Sequence, residues 1–300
     1  MGSYIIETSR PNQWIKNLVV FIPVLFSFNE SWTLLEYDAL GSFFLNSILA
    51  FIAFVFITIS VYFINDVFDK ENDRKHPIKK FRPIASGNLT ISKAIWVSLI
   101  CIFISLLISL TINLFTTLTI FTYLVLMVLY SYILKKIIFL DVISISLGFV
   151  IRVVSGAIAI GVPISIWLCL CMMFGALFIA VSKRFSEIWI NQESFSGQRL
   201  VLGKYSKVSK SNSIYVIAAI MIVTILLYVS YTLLATNLPV NNSMLLTIPL
   251  VFVGMSRYLY IVVKLNLGEK PESIVMKDLI MRSVIITWSF LVGFILYYWR

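Results

Sequence analysis

The segment from Asn65 to Gly87 reads NDVFDKENDRKHPIKKFRPIASG and is the densest cluster of charge in the chain. Asp66, Asp69 and Asp73 follow one another at spacings i, i+3 and i+7, which predicts that their carboxylates lie on one face of a helix. Carboxylates held so close together repel one another unless a cation lies between them. The spacing therefore predicts a divalent-metal site, with Asp66 and Asp69 as the main ligands and Asp73 bound directly or through water.

Basic residues follow these carboxylates directly, and Arg74, Lys79 and Arg82 are predicted to bind phosphate groups of a substrate. Metal-binding carboxylates next to phosphate-binding cations are the components of a diphosphate site. Mg²⁺ is the expected metal, because it prefers one or two carboxylates together with substrate phosphates. Asn65, Asp66 and Asp69 are accordingly the predicted catalytic residues. The single histidine of the chain, His76, cannot build a metal site alone and is interpreted as structural.

The rest of the chain is apolar enough to predict an integral membrane protein. Hydrophobic residues make up 60% of its 300 residues, against about 45–50% in soluble domains. A helix crosses a bilayer with about 20 apolar residues. Long runs without Asp, Glu, Lys or Arg, except for one arginine, cover Ala39–Asn65, Ala94–Leu134, Val142–Ser182 and Ser211–Ser256. The last three are long enough for two helices each, with breaks at Asn113, Gly161–Pro163 and Asn237–Asn242. Together with Pro11–Phe28 and Leu279–Trp299, these runs predict nine transmembrane helices in an all-α domain over residues 1–300.

The distribution of charge predicts the orientation of these helices. Nearly all lysines and arginines lie in alternate polar segments, whereas the opposite loops carry Glu30, Glu36 and Asp38 and no basic residue. By the positive-inside rule, the N-terminus and the aspartate cluster face the cytoplasm across the inner (plasma) membrane. The site loops on that side are expected at about 66–93, 135–141, 183–210 and 264–278. The net charge of +10 then reflects topology and attraction to membrane lipids, and nucleic acid is not expected as a partner. Lys135 and Lys136 are interpreted as flanking anchors.

Further cations are candidates for binding a substrate phosphate. Arg152 lies deep in an apolar run, where a charge costs about 2.5–3.5 kcal/mol on insertion scales. It is therefore expected to contact a substrate phosphate or a buried carboxylate. Lys183 and Arg184, at the end of the sixth predicted helix, are expected to contact phosphate. Lys16 and Arg257 are candidates of the same kind, with snorkelling to the membrane surface as the alternative.

These motifs resemble those of the UbiA superfamily of intramembrane prenyltransferases. The resemblance is carried by N-D-x-x-D-x-x-x-D closed by RPIASG, at residues 65–87. Aromatic prenyltransferases of the superfamily carry a second Asp-rich motif after the sixth helix, where this chain has Lys183, Arg184 and Glu187. In lacking this second Asp-rich motif, the chain is similar to the decaprenyl-phosphate phosphoribosyltransferase branch of the superfamily. The matching segments include RPNQWIKNLVVFIPVLF at 10–26 and LDVISISLGFVIRVVSGAIA at 140–159.

The resemblance implies a ring of nine helices around a cavity open to the cytoplasm. It also implies Mg²⁺-dependent transfer of 5-phosphoribose from phosphoribosyl diphosphate to a long polyprenyl phosphate, with diphosphate released. The site would then hold the phosphates of both substrates, which explains additional cations where relatives have carboxylates. An aromatic or haem prenyltransferase with a prenyl diphosphate donor is the alternative, and a lipid transporter or flippase is the second. The oligomeric state is left open, a homo-oligomer included.

Overall fold

The computed structural model describes residues 2–28, 37–189 and 209–299, and over these residues its regular elements are helices. Glu30, Glu36, Arg300 and the part of the predicted site loop between 190 and 208 lie outside the described residues. Two 3₁₀ helices longer than three residues are found in the described part of the chain: the first, Pro11–Phe21, separates the first two α-helices, and the second, Ser243–Thr247, follows the tenth. Short 3₁₀ helices lie at Lys79–Phe81 and Leu134–Lys136. The α-helices are α1 Gly2–Ser9, α2 Ile22–Phe26, α3 Tyr37–Phe68, α4 Lys70–Arg74, α5 Pro83–Ser86, α6 Ile91–Ile112, α7 Leu114–Tyr132, α8 Leu140–Ile160, α9 Ile166–Trp189, α10 Lys210–Leu234, α11 Ile248–Val263, α12 Pro271–Lys277 and α13 Leu279–Trp299.

Most of these helices can cross a membrane, and the chain is a multi-pass membrane protein. In the described part of the chain, 8 spans are long and apolar enough to cross. They correspond to α3, α6 to α10, the unit formed by the second 3₁₀ helix with α11, and α13. The remaining predicted crossing, Pro11–Phe28, is a 3₁₀ helix followed by the short α2. The count of nine crossings therefore stays a prediction for this segment.

The predicted breaks in the apolar runs are confirmed, and each has a local cause. Asn113 separates α6 from α7: its side-chain oxygen accepts from the Thr116 amide at 2.8 Å, and its Nδ2 donates to the Ile158 carbonyl at 3.2 Å. Gly161 ends α8 with a φ of 71°, a left-handed conformation that glycine adopts without strain. The third break lies between Leu234 and Ser243. Polar and glycine residues thus cut long apolar runs into hairpins.

Successive membrane helices pack against one another, and α3 occupies an inner position. It contacts α6, α7 and α8, and small residues allow close contacts; Ser105 of α6, for example, donates to the Ala53 carbonyl at 2.7 Å. The N-terminal segment packs against both early and late membrane helices. Val24 and Phe26 share a buried cluster with Val292 of α13, while the 3₁₀ helix contacts both α3 and α8.

Gly156 lets the N-terminal 3₁₀ helix lie directly on α8. A Cβ at this position would stand 2.1 Å from the Val20 carbonyl oxygen. Only a residue without a Cβ allows so close a backbone approach. The contact fixes the height of Lys16 and Asn17 against α8, which brings both residues into the interior of the bundle.

We expect Gly156→Ala to lower the stability of the protein, because the added methyl group must push the 3₁₀ helix away from α8. Overpacking of this kind costs about 1–3 kcal/mol. Thermal unfolding of the purified protein in detergent measures the effect. Gly175→Ala in α9 is the matched control, since the nearest neighbouring atom, Thr224 Cγ2, lies 4.0 Å from the added carbon. Equal melting temperatures for the two variants would show that the close approach is absent.

Candidate active site

The aspartate cluster lies where α3 ends. Asp66 is in the last turn of α3, and α4 begins one residue after Asp69. Helical hydrogen bonds nevertheless continue through the junction, since the Asp69 amide donates to the Asn65 carbonyl at 2.9 Å and the Asp73 amide to the Asp69 carbonyl at 2.8 Å. The predicted single helix is therefore interrupted at Asp69, although the three aspartates stay in successive turns.

Cationic side chains from three other segments lie against these carboxylates. Asp66 accepts a hydrogen bond from Arg10, and its Oδ1 lies 3.4 Å from Arg82 Nη1. The same Nη1 donates to Asp73 Oδ2 at 2.7 Å, so Asp66 and Asp73 converge on one guanidinium. Asp69 points to a different cation: Lys135 Nζ donates to its Oδ1 at 2.5 Å. The carboxylates thus form a pair, Asp66 with Asp73, and a separate single group, Asp69.

Lys135 extends the site to the loop between α7 and α8. Besides Asp69, it donates to the Asn65 side-chain oxygen at 3.3 Å. The interpretation of this lysine as a membrane-flanking anchor is wrong, because it is buried, with an exposed fraction of 4%. The interpretation fits its neighbour Lys136, which is exposed. Sequence spacing carried no signal for this contact, nor for Arg10, since both cations are far from the aspartates along the chain.

The arrangement of oxygens bears on the predicted magnesium site. Within residues 2–28, 37–189 and 209–299, no three acidic, histidine or cysteine side chains are grouped to hold a metal ion. The convergent Asp66 and Asp73 carboxylates do offer an all-oxygen donor set. That set fits Mg²⁺, which is typically bound by one or two carboxylates plus substrate phosphates. The residues therefore fit a shared protein–substrate metal site better than a cage of three aspartates.

The loop after α4 folds back on itself and places Arg82. Arg74 Nε donates to the Ala85 carbonyl at 3.1 Å, which ties α4 to α5. His76 Nδ1 accepts from the amides of Ile78 and Lys79 at 3.2 and 3.3 Å, which confirms its structural interpretation. Burial, followed by the charge of Lys79, lowers the pKa of His76 below its ordinary value, so the imidazole stays a neutral acceptor at neutral pH.

Asp73 experiences opposing influences at this site. Burial raises the pKa of Asp73 above its ordinary value, although the Arg82 guanidinium acts in the opposite direction through charge and hydrogen bonding. The direction shows that one guanidinium does not fully replace the water that this carboxylate has lost. An additional cation at this point would lower the pKa of Asp73 again.

A second group of cations lies around Lys16. Its Nζ lies 3.6 Å from Glu272 Oε2, and Glu272 also accepts from Gln13 Nε2 at 2.6 Å. Burial opposes ionisation of Glu272, but Lys16, a backbone hydrogen bond and Gln13 together place its pKa below the ordinary value. Lys16 also lies within electrostatic range of Lys183 and Arg152. Cations therefore outnumber carboxylates around Lys16.

Arg152 is buried, as its position in an apolar run predicted, and its hydrogen-bond partners among the described residues are neutral. They are Asn17, Tyr123 and the Gly148 carbonyl. No ion pair between Arg152 and a carboxylate is found among the described residues. The expected carboxylate partner is therefore ruled out for this part of the chain, and contact with a substrate phosphate stays a prediction.

Arg184 differs from Arg152 in having carboxylate partners. Its Nε donates to Asp141 Oδ2 at 2.8 Å, its Nη1 donates to Glu187, and its side chain is 7% exposed. This network ties α9 to the start of α8. Lys183, by contrast, is 40% exposed and lies 3.9 Å from Glu187. Of the two residues predicted to bind phosphate, Lys183 is the one whose charge is accessible to a ligand.

Arg257 is also engaged by a carboxylate. Two of its nitrogens donate to Asp278, at 2.7 and 3.3 Å, in a two-point contact that joins α11 to the start of α13. The contact explains how the helix carries this charge without a ligand. Its predicted role in substrate binding stays a prediction.

Comparison with known proteins adds a family assignment to this geometry. The model of the UbiA prenyltransferase family matches residues 20–281. A decaprenyl-phosphate phosphoribosyltransferase of Mycolicibacterium smegmatis is 30% identical, over 99% of this chain and 93% of its own length. The protein of the same name from Mycobacterium tuberculosis is 27% identical, over 96% and 93%. A UbiA homolog from Archaeoglobus fulgidus, solved with DMAPP and Mg²⁺, has the same fold, with a TM-score of 0.72 at 18% identity over 97% of this chain and 99% of that one.

We expect Lys135→Met to destabilise the protein, because it removes the Nζ that pairs with the largely buried Asp69. Removing one partner of a buried ion pair costs about 3–5 kcal/mol. The double variant Lys135→Met/Asp69→Asn should recover most of the lost thermal stability in detergent, since the unpaired charge is then absent. Lys136→Met, at the exposed neighbouring position, is the matched control and should melt like the wild type. A full loss that Asp69→Asn does not relieve would contradict the pairing.

We expect Arg184→Ala to lower the thermal stability of the protein and Lys183→Ala to weaken substrate binding instead. Arg184→Ala removes the buried cation that joins Asp141 to Glu187, so the melting temperature in detergent should fall sharply. Lys183→Ala should melt like the wild type. If Lys183 binds substrate phosphate, its loss raises the KM for an anionic substrate about tenfold, since a charge-assisted hydrogen bond contributes about 1.5–3 kcal/mol. Reversed results would assign the ligand contact to Arg184 instead.

Proposed function

The chain belongs to the UbiA prenyltransferase family and is a membrane-embedded transferase, and from this we propose its reaction. It transfers 5-phosphoribose from phosphoribosyl diphosphate to a polyprenyl phosphate of the decaprenyl type and releases diphosphate. The names of the similar mycobacterial proteins support this choice of substrates. The reaction takes place at the cytoplasmic face of the inner membrane, where the site loops lie by the positive-inside rule.

The observation that carries the proposal is the excess of cations around Lys16. Arg152 and Lys183 each interact electrostatically with Lys16, and Glu272 is the carboxylate that interacts with it. A prenyl diphosphate donor brings one anionic group to the site. A phosphoribosyl donor and a lipid phosphate acceptor bring the diphosphate, the 5-phosphate and the acceptor phosphate. A basic interior suits the second pair of substrates, because each additional phosphate needs a cation at this depth.

Asp66, Asp69 and Asp73 are the residues that would hold Mg²⁺, with Asp66 and Asp73 as the convergent pair. The ion, when bound, supplies positive charge to the leaving diphosphate. Arg10 and Arg82 already lie beside these carboxylates. As the donor binds, we expect their guanidinium groups to exchange carboxylate oxygens for phosphate oxygens, which Arg binds with two-point geometry. The same residues would thus close the site around the donor.

The chemistry needs little from the protein besides position and charge. The bond between ribose C1 and the diphosphate oxygen breaks, the diphosphate leaves with the electron pair, and an oxygen of the lipid phosphate forms the new bond to C1. The acceptor is already an anion, so no side chain has to remove a proton. His76 is engaged in holding its own loop, consistent with this. Fixed cations would stabilise the charge that develops on the leaving group, and the enclosed interior would hold the acceptor in line.

The alternatives are less well supported by the same residues. An aromatic or haem prenyltransferase of the superfamily would be expected to place a second group of aspartates where this chain has Lys183, Arg184 and Glu187. A transporter or flippase needs polar groups along a path through the bilayer. The charged groups of the described residues instead gather at the end of the helices that carries Asp66, and Arg152 is the one that lies deep.

Membranes that contain the protein, supplied with phosphoribosyl diphosphate labelled in the ribose and with polyprenyl phosphate, should form labelled lipid in the presence of Mg²⁺. A parallel reaction with labelled geranyl diphosphate and an aromatic acceptor tests the alternative. Label in the lipid only in the first reaction supports the proposal. Label only in the second would overturn it.

In the same assay, we expect Asp66→Asn and Asp69→Asn each to lower the rate about a hundredfold or more, because the leaving group loses its electrostatic stabilisation. The melting temperature of each variant in detergent accompanies the rate, since both aspartates also form ion pairs. Glu71→Gln is the matched control, because Glu71 is 73% exposed and pairs only with Arg74 among the described ion pairs. Near-normal rates for both variants at saturating Mg²⁺ would falsify the metal role.

A further inference from the structure

Among the described residues, no carboxylate pairs with Arg152, which lies near the middle of a membrane-spanning helix. It is the twelfth residue after Leu140, the start of α8, which places it about 18 Å along that helix. Its residue is 5% exposed. Every hydrogen bond found for its guanidinium ends on a neutral acceptor: Asn17 Oδ1 at 2.8 Å, Gly148 O at 3.0 Å and Tyr123 OH at 2.7 Å.

Aromatic rings hold this guanidinium in place without neutralising it. The ring centroids of Tyr123, Phe149 and Phe54 lie 4.6, 5.3 and 5.9 Å from its central carbon. Cation–π contacts of this kind orient the planar group and favour the charge. They leave a full unit of positive charge in a low-dielectric interior, where an isolated ion is strongly unfavourable.

Asn17, next to this guanidinium, has an unsatisfied amide. The residue is fully buried, and its Oδ1 accepts from both Arg152 Nε and Thr58 Oγ1, the latter at 3.3 Å. Two donors on the same oxygen fix which way the amide points. Its Nδ2 then faces away from these donors and has no hydrogen-bond partner in the described structure. A buried amide without a partner is rare and calls for a missing acceptor.

The two deficits are complementary, since the guanidinium lacks a counterion and the amide lacks an acceptor. An arginine has five N–H donors, and the contacts found for Arg152 use three of them. Its remaining donors and the Nδ2 group of Asn17 suit an anion with several oxygens. We propose that Arg152 and Asn17 form a binding site for a phosphate monoester. Its identity as a substrate group rests on the proposed function, in which both the donor's 5-phosphate and the acceptor's head group are phosphate monoesters.

Lys16 gives this site a second source of attraction for anions. It is adjacent to Asn17 in the chain and interacts electrostatically with Arg152. Glu272, which pairs with Lys16 at 3.6 Å, offsets one of the two charges, so the described surroundings of Arg152 keep a net positive charge. Thr58 and Asp66 lie on the same helix, eight residues or about 12 Å apart. The proposed site therefore lies deeper in the bundle than the aspartate cluster and is separate from it.

The test is the effect of monoesters on thermal unfolding of the full chain in detergent. The probes are ribose 5-phosphate and farnesyl phosphate, and ribose and farnesol are their uncharged counterparts. We expect at least one monoester to raise the melting temperature of the wild type in a saturable manner, whereas its counterpart does not. Protection by ribose 5-phosphate assigns the site to the donor, and protection by farnesyl phosphate assigns it to the acceptor.

Asn17→Asp is the decisive variant, because it has nearly the same shape and supplies the missing carboxylate beside Arg152. The unliganded variant should melt at the wild-type temperature or above it. Its apparent Kd for the protecting monoester should rise about tenfold or more, because the anion now meets a neutralised arginine and a repelling carboxylate. Arg282→Gln, at an exposed position of α13, makes the same change of net charge and should bind the monoester like the wild type.

Arg152→Lys is the second variant and tests the proposed site if Asn17→Asp does not fold. It keeps the charge, loses the planar fork and should also weaken monoester binding about tenfold. Wild-type binding in the folded variants, or no protection of the wild type by either monoester, would overturn the proposed site. These measurements need no turnover, so the site can fail while labelled lipid still forms. Conversely, a wild type that binds the monoester but forms no labelled lipid contradicts the proposed reaction alone.

Discussion

The carboxylate of Asp66 joins chain segments that are distant in sequence. Arg10, from the start of the N-terminal 3₁₀ helix, and Arg82, from the loop after α4, both contact it. Asp66 is almost fully buried, and these guanidinium groups compensate its charge there. The N-terminal segment and the loop that carries Arg82 are thereby held at the end of α3. Lys135 adds the loop between α7 and α8 through Asp69.

The buried cations of the protein fall into two groups, which differ in whether their hydrogen-bond partners are carboxylates or neutral groups. Lys135 and Arg184 have carboxylate partners, and each pair joins segments that lie far apart in the sequence. Within the described part of the chain, Arg152 has neutral hydrogen-bond partners, so its charge is left for a ligand. In a membrane interior, where charge is costly, an ionisable group without a counterion is a strong indication of a ligand. Burial alone does not distinguish the two groups, but their partners do.

Close backbone packing makes the second group possible. Because Gly156 has no side chain, the N-terminal 3₁₀ helix approaches α8 closely enough for Asn17 to meet Arg152. The same approach carries Lys16 to Glu272 of α12. The N-terminal segment is therefore both a packing element and a source of polar groups for the interior. Its 3₁₀ conformation, which sets it apart from the membrane-spanning α-helices, fits this position between α3 and α8.

The sequence by itself determined the features that depend on local composition. Apolar runs and their polar or glycine breaks predicted the membrane helices and the ends at Asn113 and Gly161, because a bilayer selects for length and hydrophobicity within one segment. The spacing of Asp66, Asp69 and Asp73 predicted that they lie in successive helical turns, which also depends on local sequence alone. Only the tertiary structure decided which cations those carboxylates meet. Lys135 was interpreted as a flanking anchor, and no local pattern pointed to Arg10 or Asn17, since the partner of each lies dozens of residues away. Charge pairing over such separations depends on how the helices pack, and residue order along the chain does not encode it in any local pattern.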